Sequence, residues 1–537
     1  MCWSILQSST MEASAGIQGS LTASFLATAA VGIGVALVLS AWVVSATTNA
    51  KDGASTDHML RLDTTHPFLG DLRTFAANAS RLHYWLTEQS LRFHGEPWRI
   101  RMPLGMKNLV VVTHPEAVED VLIKQFDNFP RGEHRIQVIE DVLGRSVVTS
   151  DGAKWYHLRK IASRFFTANA LRKCMMTSVQ HGMSQVYEQI DKDVASNDAV
   201  NMLKLFQEFS LQVFSEAGLG LRPQFIGNTT GHPVEHSMDR STMMVMRRLR
   251  LPMWYWKLER WLNIGPEREL AAITRSLRQW LRSVVDESME VAAKKQKAKQ
   301  SDRDPDDDGI KSIVELFMEQ SGEESGMQPQ DLVDFILTFL VASRDTSSVA
   351  LSWFFLMLAK HPDVEKRGLS AEGFLTSDHV RQLFYLEATI KEVLRLYPSV
   401  PVIQKEALHD TLLCGKYAVK KGELVVIENY GMGRMPNVWG PDAAEFKPER
   451  WIDPQTGGLI TVPTSKLNAF GSGPRICIGM KLAMVELRVA TANLLSRYQF
   501  SLARPNDGEH VVAIELMLKD PLMMKATPVK RGSEPIQ

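Results

Sequence analysis

One stretch governs what this chain can become: "DLVDFILTFLVASRDTSSVALSWFFLMLAKHP", Asp331 to Pro362. Its apolar residues recur at three- and four-residue spacing on nearly every side, which predicts one long helix from about Asp331 to Lys360. A helix that is apolar all round has to be buried through the middle of a protein. The rest of the chain must therefore wrap it. The sequence has the material: 537 residues, 45% of them apolar. Length alone would allow three or four domains. No internal repeat and no Pro/Gly/Ser linker divides the chain after about residue 65, however, so a single domain over residues 66–537 is expected. The pattern after residue 150 is mostly helical. "WRIRMP" (from Trp98) and "NLVVVT" (from Asn108) read as paired strands, and "VVAIELMLKDPLMMKATPVK" (from Val511) as further strands. The fold class expected is mainly α with small β-sheets.

The N-terminal end follows another rule. Ala13 to Ala50 contain no Asp, Glu, Lys, Arg or His, and Leu21 to Thr48 exceed the ~20 apolar residues that span a bilayer. A cleaved secretory signal would carry a basic start and a shorter core. Met1 to Ser20 hold no Lys or Arg. We expect a short segment over 1–20, a membrane helix over 21–48 and a linker over 49–65. Lys51, Arg61 and Arg73 follow the helix, which orients the bulk of the chain to the cytosol. The sequons at Asn78 and Asn228 would then stay unmodified. Lys+Arg and Asp+Glu both number 61, so no net field argues for nucleic acid. The charge-rich run from Lys294 to Gly309 reads as a solvated loop.

The four cysteines, Cys2, Cys174, Cys414 and Cys477, form neither a zinc pattern nor a disulfide framework. Cys477 differs from the others in its setting. It lies in "FGSGPRICIG" (Phe470 to Gly479) and just ahead of the helical pattern that starts at Met480. A helix N-terminus offers free N–H groups and the positive end of the dipole to a thiolate. Arg475 adds a cation, and Gly471, Gly473 and Gly479 let the backbone approach something flat. That combination suits a sulfur bound to iron, whose electron donation is tuned by hydrogen bonds.

The loop, with Phe470, Gly473, Arg475, Cys477 and Gly479 in register, resembles the haem-binding loop of the cytochrome P450 family. Other motifs agree with it in order along the chain. They are "WYHLR" (Trp155, Arg159), "ASRDTS" (Ala342, Asp345, Thr346), "EVLR" (Glu392, Arg395) and "FKPERW" (Arg450). The resemblance implies the P450 fold and a haem b cofactor. Cys477 would be the axial ligand of the haem iron. Phe470 and Gly471 would pack near the sulfur, and Ala342 would lie at the haem on the long helix. Arg475, Trp155 and Arg159 would face the haem propionates. Glu392, Arg395 and Arg450 would form a buried structural network, with Thr346 and Asp345 as catalytic proton-delivery groups. In this chain Ser343 stands where the family usually has glycine, which alters the groove in the helix. Thr346 read by itself could equally bond back to the carbonyl four residues earlier.

The same resemblance implies a monooxygenase driven by O2 and electrons from an NADPH-cytochrome P450 reductase, with cytochrome b5 an additional donor. A hydrophobic small-molecule substrate and membrane lipid would complete its partners. The expected location is the endoplasmic reticulum membrane. Lys154, Lys160, Arg164, Arg172 and Lys173 offer a basic face to an acidic reductase. The "NFPRGEHRIQ" stretch, Arg344 and "MGRM" (Met432 to Met435) resemble the fatty-acid ω-hydroxylase branches of fungi and plants. A long-chain fatty acid is thus the expected substrate. A sterol or terpenoid hydroxylase, and a haem-thiolate isomerase or dehydratase of lipid peroxides, are the alternatives. Candidate lining residues are Ile136 to Leu143, Phe335 to Ala342, Val400 to Ile403 and Leu516 to Leu518.

Overall fold

The computed structural model describes residues 58–103, 105–166, 168–222, 225–227, 233–301, 312, 314, 315, 329–365 and 383–529. The expected membrane helix over 21–48 lies outside them. Among the described residues no helix is long and apolar enough to cross a membrane.

Among the described residues eleven longer helices build the body, and we label them α1 to α11. They are α1 (Leu82–Arg92), α2 (Glu133–Leu143), α3 (Gly152–Phe165), α4 (Ala168–Ser196), α5 (Met202–Leu219), α6 (Pro233–Arg250), α7 (Met253–Leu262), α8 (Gly265–Ser301), α9 (Pro329–Lys360), α10 (Phe384–Leu396) and α11 (Met480–Arg497). The long apolar stretch is α9. Its Leu332, Ile336, Leu337, Leu340, Leu351 and Leu356 are all fully buried. Its first half packs on Leu211 and Phe214 of α5 and on Leu277 and Leu281 of α8. Its second half packs on Phe206 and Phe209 of α5, Ile390 of α10 and Leu494 of α11. Apart from the turn at Ala342 and its ends, α9 is buried among the helices around it, as its composition requires.

Among the described residues three small sheets flank this body. The largest runs in the order β1 (Leu60–Arg61), β2 (Trp98–Ile100), β3 (Leu109–Val112), β8 (Leu424–Glu428) and β5 (Val402–Glu406). Two more pair β4 (Val200–Asn201) with β10 (Met523–Pro528) and β9 (Tyr498–Leu502), and β6 (Thr411–Leu413) with β7 (Tyr417–Val419). Trp98 opposite Val111 fixes the antiparallel register of β2 and β3, while β3 and β8 run parallel. The chain is therefore mainly α with small sheets.

Three local readings need correction. Leu60 and Arg61, read as linker, form β1 and pair in parallel with Trp98 and Arg99. Lys294 to Ser301, read as loop, continue α8, because Lys, Ala and Gln are good helix formers. Of the C-terminal stretch read as strands, Met523–Pro528 forms β10. The part before it is loop, with one isolated bridge between His510 and Leu518.

Candidate functional site

The segment ahead of α11 is rigid for reasons visible atom by atom. Gly471 and Gly473 both take positive φ, at 73° and 68°. A Cβ on Gly473 would lie 2.1 Å from the carbonyl oxygen of Leu122. Gly473 thus leaves room for the neighbouring backbone of Leu122. The Cys477 N–H donates to the Phe470 carbonyl at 2.8 Å, and closes the loop. Asn468, fully buried, donates to Asn429 Oδ1 at 2.8 Å and accepts the Ser472 hydroxyl at 2.8 Å. Arg159 of α3 donates to the Ile476 carbonyl at 2.7 Å. Cys477 is hemmed in by protein on most sides, yet its side chain is accessible. Burial pushes its thiol up. The N–H groups of Gly479 and Met480, together with the Arg159 guanidinium, act in the opposite sense. The helix terminus alone therefore does not make this sulfur a thiolate, and a bound cation would supply the missing stabilisation.

Around the loop gathers more positive charge than the protein itself neutralises. Trp155 is buried, with the Arg475 guanidinium 4.3 Å from its ring centroid. Arg475 donates to Asp151 at 2.5 Å and to the Ser150 carbonyl at 3.1 Å, and its Nε is buried without a partner. Arg131, whose Nε is likewise orphaned, approaches the same Asp151. Lys405 on β5 is 3% exposed. Its burial, reinforced by Arg131 and Arg475, lowers its pKa to about 7. Asp151 is the carboxylate that opposes this. A dianionic group fits here, and a haem with its two propionates has that chemistry. Arg159, Arg475 and Trp155, expected from sequence, share this corner with Arg131 and Lys405, which sequence reading missed. Arg131 lies just before α2 and Lys405 in a strand, with no local spacing to mark them.

The network expected to be structural is complete. Glu392 of α10 accepts both Arg395 nitrogens at 2.7 Å, the Trp451 indole at 2.9 Å and the Lys447 N–H at 2.9 Å. Arg450 joins it at 3.5 Å and caps the carbonyls of Trp439 and Asp442. Glu392 and Arg395 side chains are wholly buried.

On α9, Ala342 is exposed and Val341, Ser343 and Thr346 are half-buried, whereas Arg344, Asp345 and residues 347–358 are buried. Ala342 and Thr346 stand one turn apart on one face. The Thr346 hydroxyl donates to the Ala342 carbonyl at 2.7 Å, so the back-bonded alternative is the one present. Ser343 does the same more weakly, to Leu340 at 3.3 Å. Asp345 is buried and accepts from Arg344 at 2.7 Å, and Arg344 also pairs with Asp239 of α6 at 2.8 Å. Desolvation raises the Asp345 carboxyl while Arg344 pulls it down.

Of the lining candidates, Val138, Ile139 and Val142 of α2 pack together with Val341 of α9, Ile514 and Met244 of α6. Phe335 to Leu340 and Leu516 belong to other clusters and are ordinary core. Val402 and Ile403 pack with the sheet residues. A cavity of about 590 Å³ between α7 and α8, lined by Arg248, Arg260 and Glu267, contains none of these residues. Lys154 and Lys160 of the basic face are exposed. The side chains of Arg164, Arg172 and Lys173 lie outside the described residues.

Comparison with known proteins agrees with this geometry. A family model described as Cytochrome P450 matches residues 61–525. The chain is similar to cytochrome P450 94A1 of Vicia sativa, 27% identical over 455 residues, 82% of this chain and 85% of the relative. It is 28% identical over 452 residues to cytochrome P450 94B1 of Arabidopsis thaliana, 81% and 85% of the two chains. It is 29% identical over 494 residues to cytochrome P450 704C1 of Pinus taeda, 86% and 92% of the two.

Proposed function

The chain belongs to the cytochrome P450 family, whose members are haem monooxygenases, and on that premise we propose that it hydroxylates a long-chain fatty acid at or near its terminal carbon. The reading rests on the apolar cluster in which Val138, Ile139 and Val142 of α2 pack with Ile514 and with Val341 of α9, next in sequence to the exposed Ala342. Apolar surroundings of this kind suit an alkyl chain. The motif resemblance to fatty-acid ω-hydroxylases favours an acyl substrate over a sterol.

In this reading Cys477 holds the iron of a haem b. Arg475, Arg159, Trp155, Arg131 and Lys405 take its propionates. The haem, once bound, supplies reductive activation of O2 and insertion of one oxygen atom into a C–H bond. The protein's own work is orientation and proton handling. Gly479 and Met480 N–H groups temper the Cys477 sulfur. Thr346 Oγ must turn from the Ala342 carbonyl to give a proton into the chamber, and Asp345, raised by burial, is the acid that restores it. Ser399 donates to the Thr346 carbonyl at 2.8 Å and holds that turn of α9 in place.

Electrons come, in this reading, from an NADPH-dependent reductase docking at the face that carries Lys154 and Lys160. The protein sits on the endoplasmic reticulum membrane. Support for a membrane setting comes from α7, where Trp254, Leu258 and Trp261 recur at i, i+4 and i+7 and are 68%, 44% and 79% exposed. The test is turnover of recombinant protein with a reductase and NADPH against fatty acids and sterols, with products identified by mass spectrometry. A terminally hydroxylated fatty acid is expected. A sterol product with no fatty-acid turnover would overturn the substrate, and NADPH-independent rearrangement of lipid peroxides would overturn the reaction.

A further inference from the structure

The cavity of about 590 Å³ between α7 and α8 shares no lining residue with the haem loop or with α9. Its volume falls within the ~300–1,000 Å³ of small-molecule sites, most of which are apolar. This one is not. Leu270 is its single large apolar lining residue. Its walls carry five guanidiniums, those of Arg248, Arg260, Arg275, Arg278 and Arg282, against the two carboxylates of Asp141 and Glu267.

Those carboxylates are already engaged. Glu267 accepts two nitrogens of the buried Arg248, at 2.9 and 2.5 Å. Asp141 of α2 is shared between Arg248, at 2.8 Å, and Arg260 of α7. Arg278 pairs with Asp334 of α9, which lies outside the lining. Arg275 and Arg282 stand at the exposed rim, and no third carboxylate lines the cavity. Even with Asp334 counted, five cations meet three anions. The helix itself sets up this excess. Ala271, Arg275, Arg278 and Arg282 fall at i, i+4, i+7 and i+11 of α8 and share one face over about 16 Å. Like charges one turn apart repel, and an anion between them relieves that repulsion.

Arg260 joins the cavity to the outer surface of α7. Trp261, the residue after it, is 79% exposed, and Leu262 and Ile264 are exposed as well. Trp254 and Leu258 continue the outward stripe, with Lys257 and Arg260 beside it. An apolar stripe rich in tryptophan and flanked by cations marks a helix that lies in a membrane interface. The anions available at that depth are lipid phosphates.

We propose that the cavity between α7 and α8 is a binding site for the phosphomonoester headgroup of an anionic lipid. Arg260, Arg275 and Arg282 fork onto the phosphate oxygens, and the acyl chains lie outside along Trp254, Leu258 and Trp261. The proposal rests on the membrane setting above and adds which lipid the protein selects. Guanidiniums bind phosphate through paired hydrogen bonds, and a dianion matches the surplus charge of the lining. A choline headgroup brings its own cation against the same arginines and is disfavoured.

The experiment is calorimetric titration of haem-loaded, full-length protein in nonionic detergent. The ligands are dihexanoyl phosphatidic acid, dihexanoyl phosphatidylcholine and inorganic phosphate, and haem content is measured on every preparation. Phosphatidic acid should bind about tenfold or more tighter than either of the others. Arg275→Gln combined with Arg282→Gln, at exposed positions that the fold tolerates, should weaken phosphatidic acid by about 10–100-fold at unchanged haem content. Trp261→Ser should weaken phosphatidic acid by about threefold or more and leave inorganic phosphate unaffected. Equal binding of phosphatidic acid and phosphatidylcholine by the parent overturns the proposal, and so does parental affinity in the double arginine variant. Inorganic phosphate bound as tightly as phosphatidic acid assigns the cavity to a soluble anion and overturns the lipid. Flotation with phosphatidylcholine vesicles, with and without phosphatidic acid, separates the two readings. Flotation without any preference for phosphatidic acid in the titration overturns this inference and leaves the membrane setting standing, whereas failure to float with either vesicle overturns both.

Discussion

Glu392 on α10 and Asp345 on α9 are both buried carboxylates held by an arginine, yet their surroundings differ. Glu392 receives four hydrogen bonds at 2.7 to 2.9 Å, and the Arg395 that faces it also reaches the carbonyls of Ala443 and Glu445. Asp345 has Arg344, whose Nε is buried without a partner and whose other hand grips the half-exposed Asp239. Close by, burial and the neighbouring Asp345 push the Glu515 carboxyl up to about 8. A fully satisfied polar cluster in low dielectric fixes one geometry. A partly satisfied one keeps groups near the point of changing charge or partner, which is what proton delivery and ligand recognition need. In the proposed reading the Glu392 network behind the cofactor's grip is built the first way, with the Nε atoms of Arg131 and Arg475 left over beside it, and the half that meets substrate is built the second.

The largest effect expected falls on the first half. Cys477→Ser should abolish haem retention and product formation, with no thiolate-type carbon monoxide band after reduction. A variant that still held pigment and oxidised substrate would break the assignment of the gripping half altogether. Next comes Glu392→Ala, which strands Arg395 in the interior and should cost about 3–5 kcal/mol in urea unfolding, together with loss of haem. Asn468→Ala should weaken haem retention with a smaller loss of stability, since Asn468 links Asn429 to Ser472 in the loop. A Glu392→Ala protein of parental stability would show that full partnership does not matter there.

Reading the sequence reached the gripping half more completely than the chamber, and the reason is covalent distance. Phe470 to Gly479, Trp155 with Arg159, and Glu392 with Arg395 sit within one loop or one helical turn, so spacing alone reports them. The 3.6-residue period likewise announced α9, found over Pro329–Lys360. Arg131, Lys405 and Glu515 come from a loop, a strand and another loop. Only the packing of α2 against α9 and the 510–518 segment brings Ile139, Val341 and Ile514 together. The state of Thr346 was also undecidable from sequence, since a threonine in a helix can serve the chamber or its own backbone. In this structure it bonds to Ala342.

A smaller effect should separate burial from function within the core. Glu486 of α11 is buried between the hydroxyls of Ser210, at 2.7 Å, and Ser347, at 3.0 Å, and burial pushes its carboxyl up from 4.5 to about 7. An acid raised on folding binds its proton more tightly in the folded chain, so stability falls as pH rises from 4.5 through 7. Glu486→Gln cannot ionise. It should be more stable than the parent by about 1–3 kcal/mol at about pH 8, and match it at about pH 4. Urea midpoints at the two values check this, and parallel curves would place Glu486 with the fully satisfied carboxylates instead.

The smallest change tests the chamber directly. Thr346→Ala deletes a hydroxyl whose present bond to Ala342 is local, so the fold should barely notice and haem content should stay at the parental level. If the hydroxyl turns inward to deliver protons, product formed per NADPH consumed should fall by about tenfold, equivalent to 1.4 kcal/mol. Thr346→Ser keeps the hydroxyl and should restore most of that yield. Should Thr346→Ala leave the yield unchanged, the hydroxyl is only a helix-bonding group, and the loosely partnered half of the site would owe its character to Asp345 and Glu515.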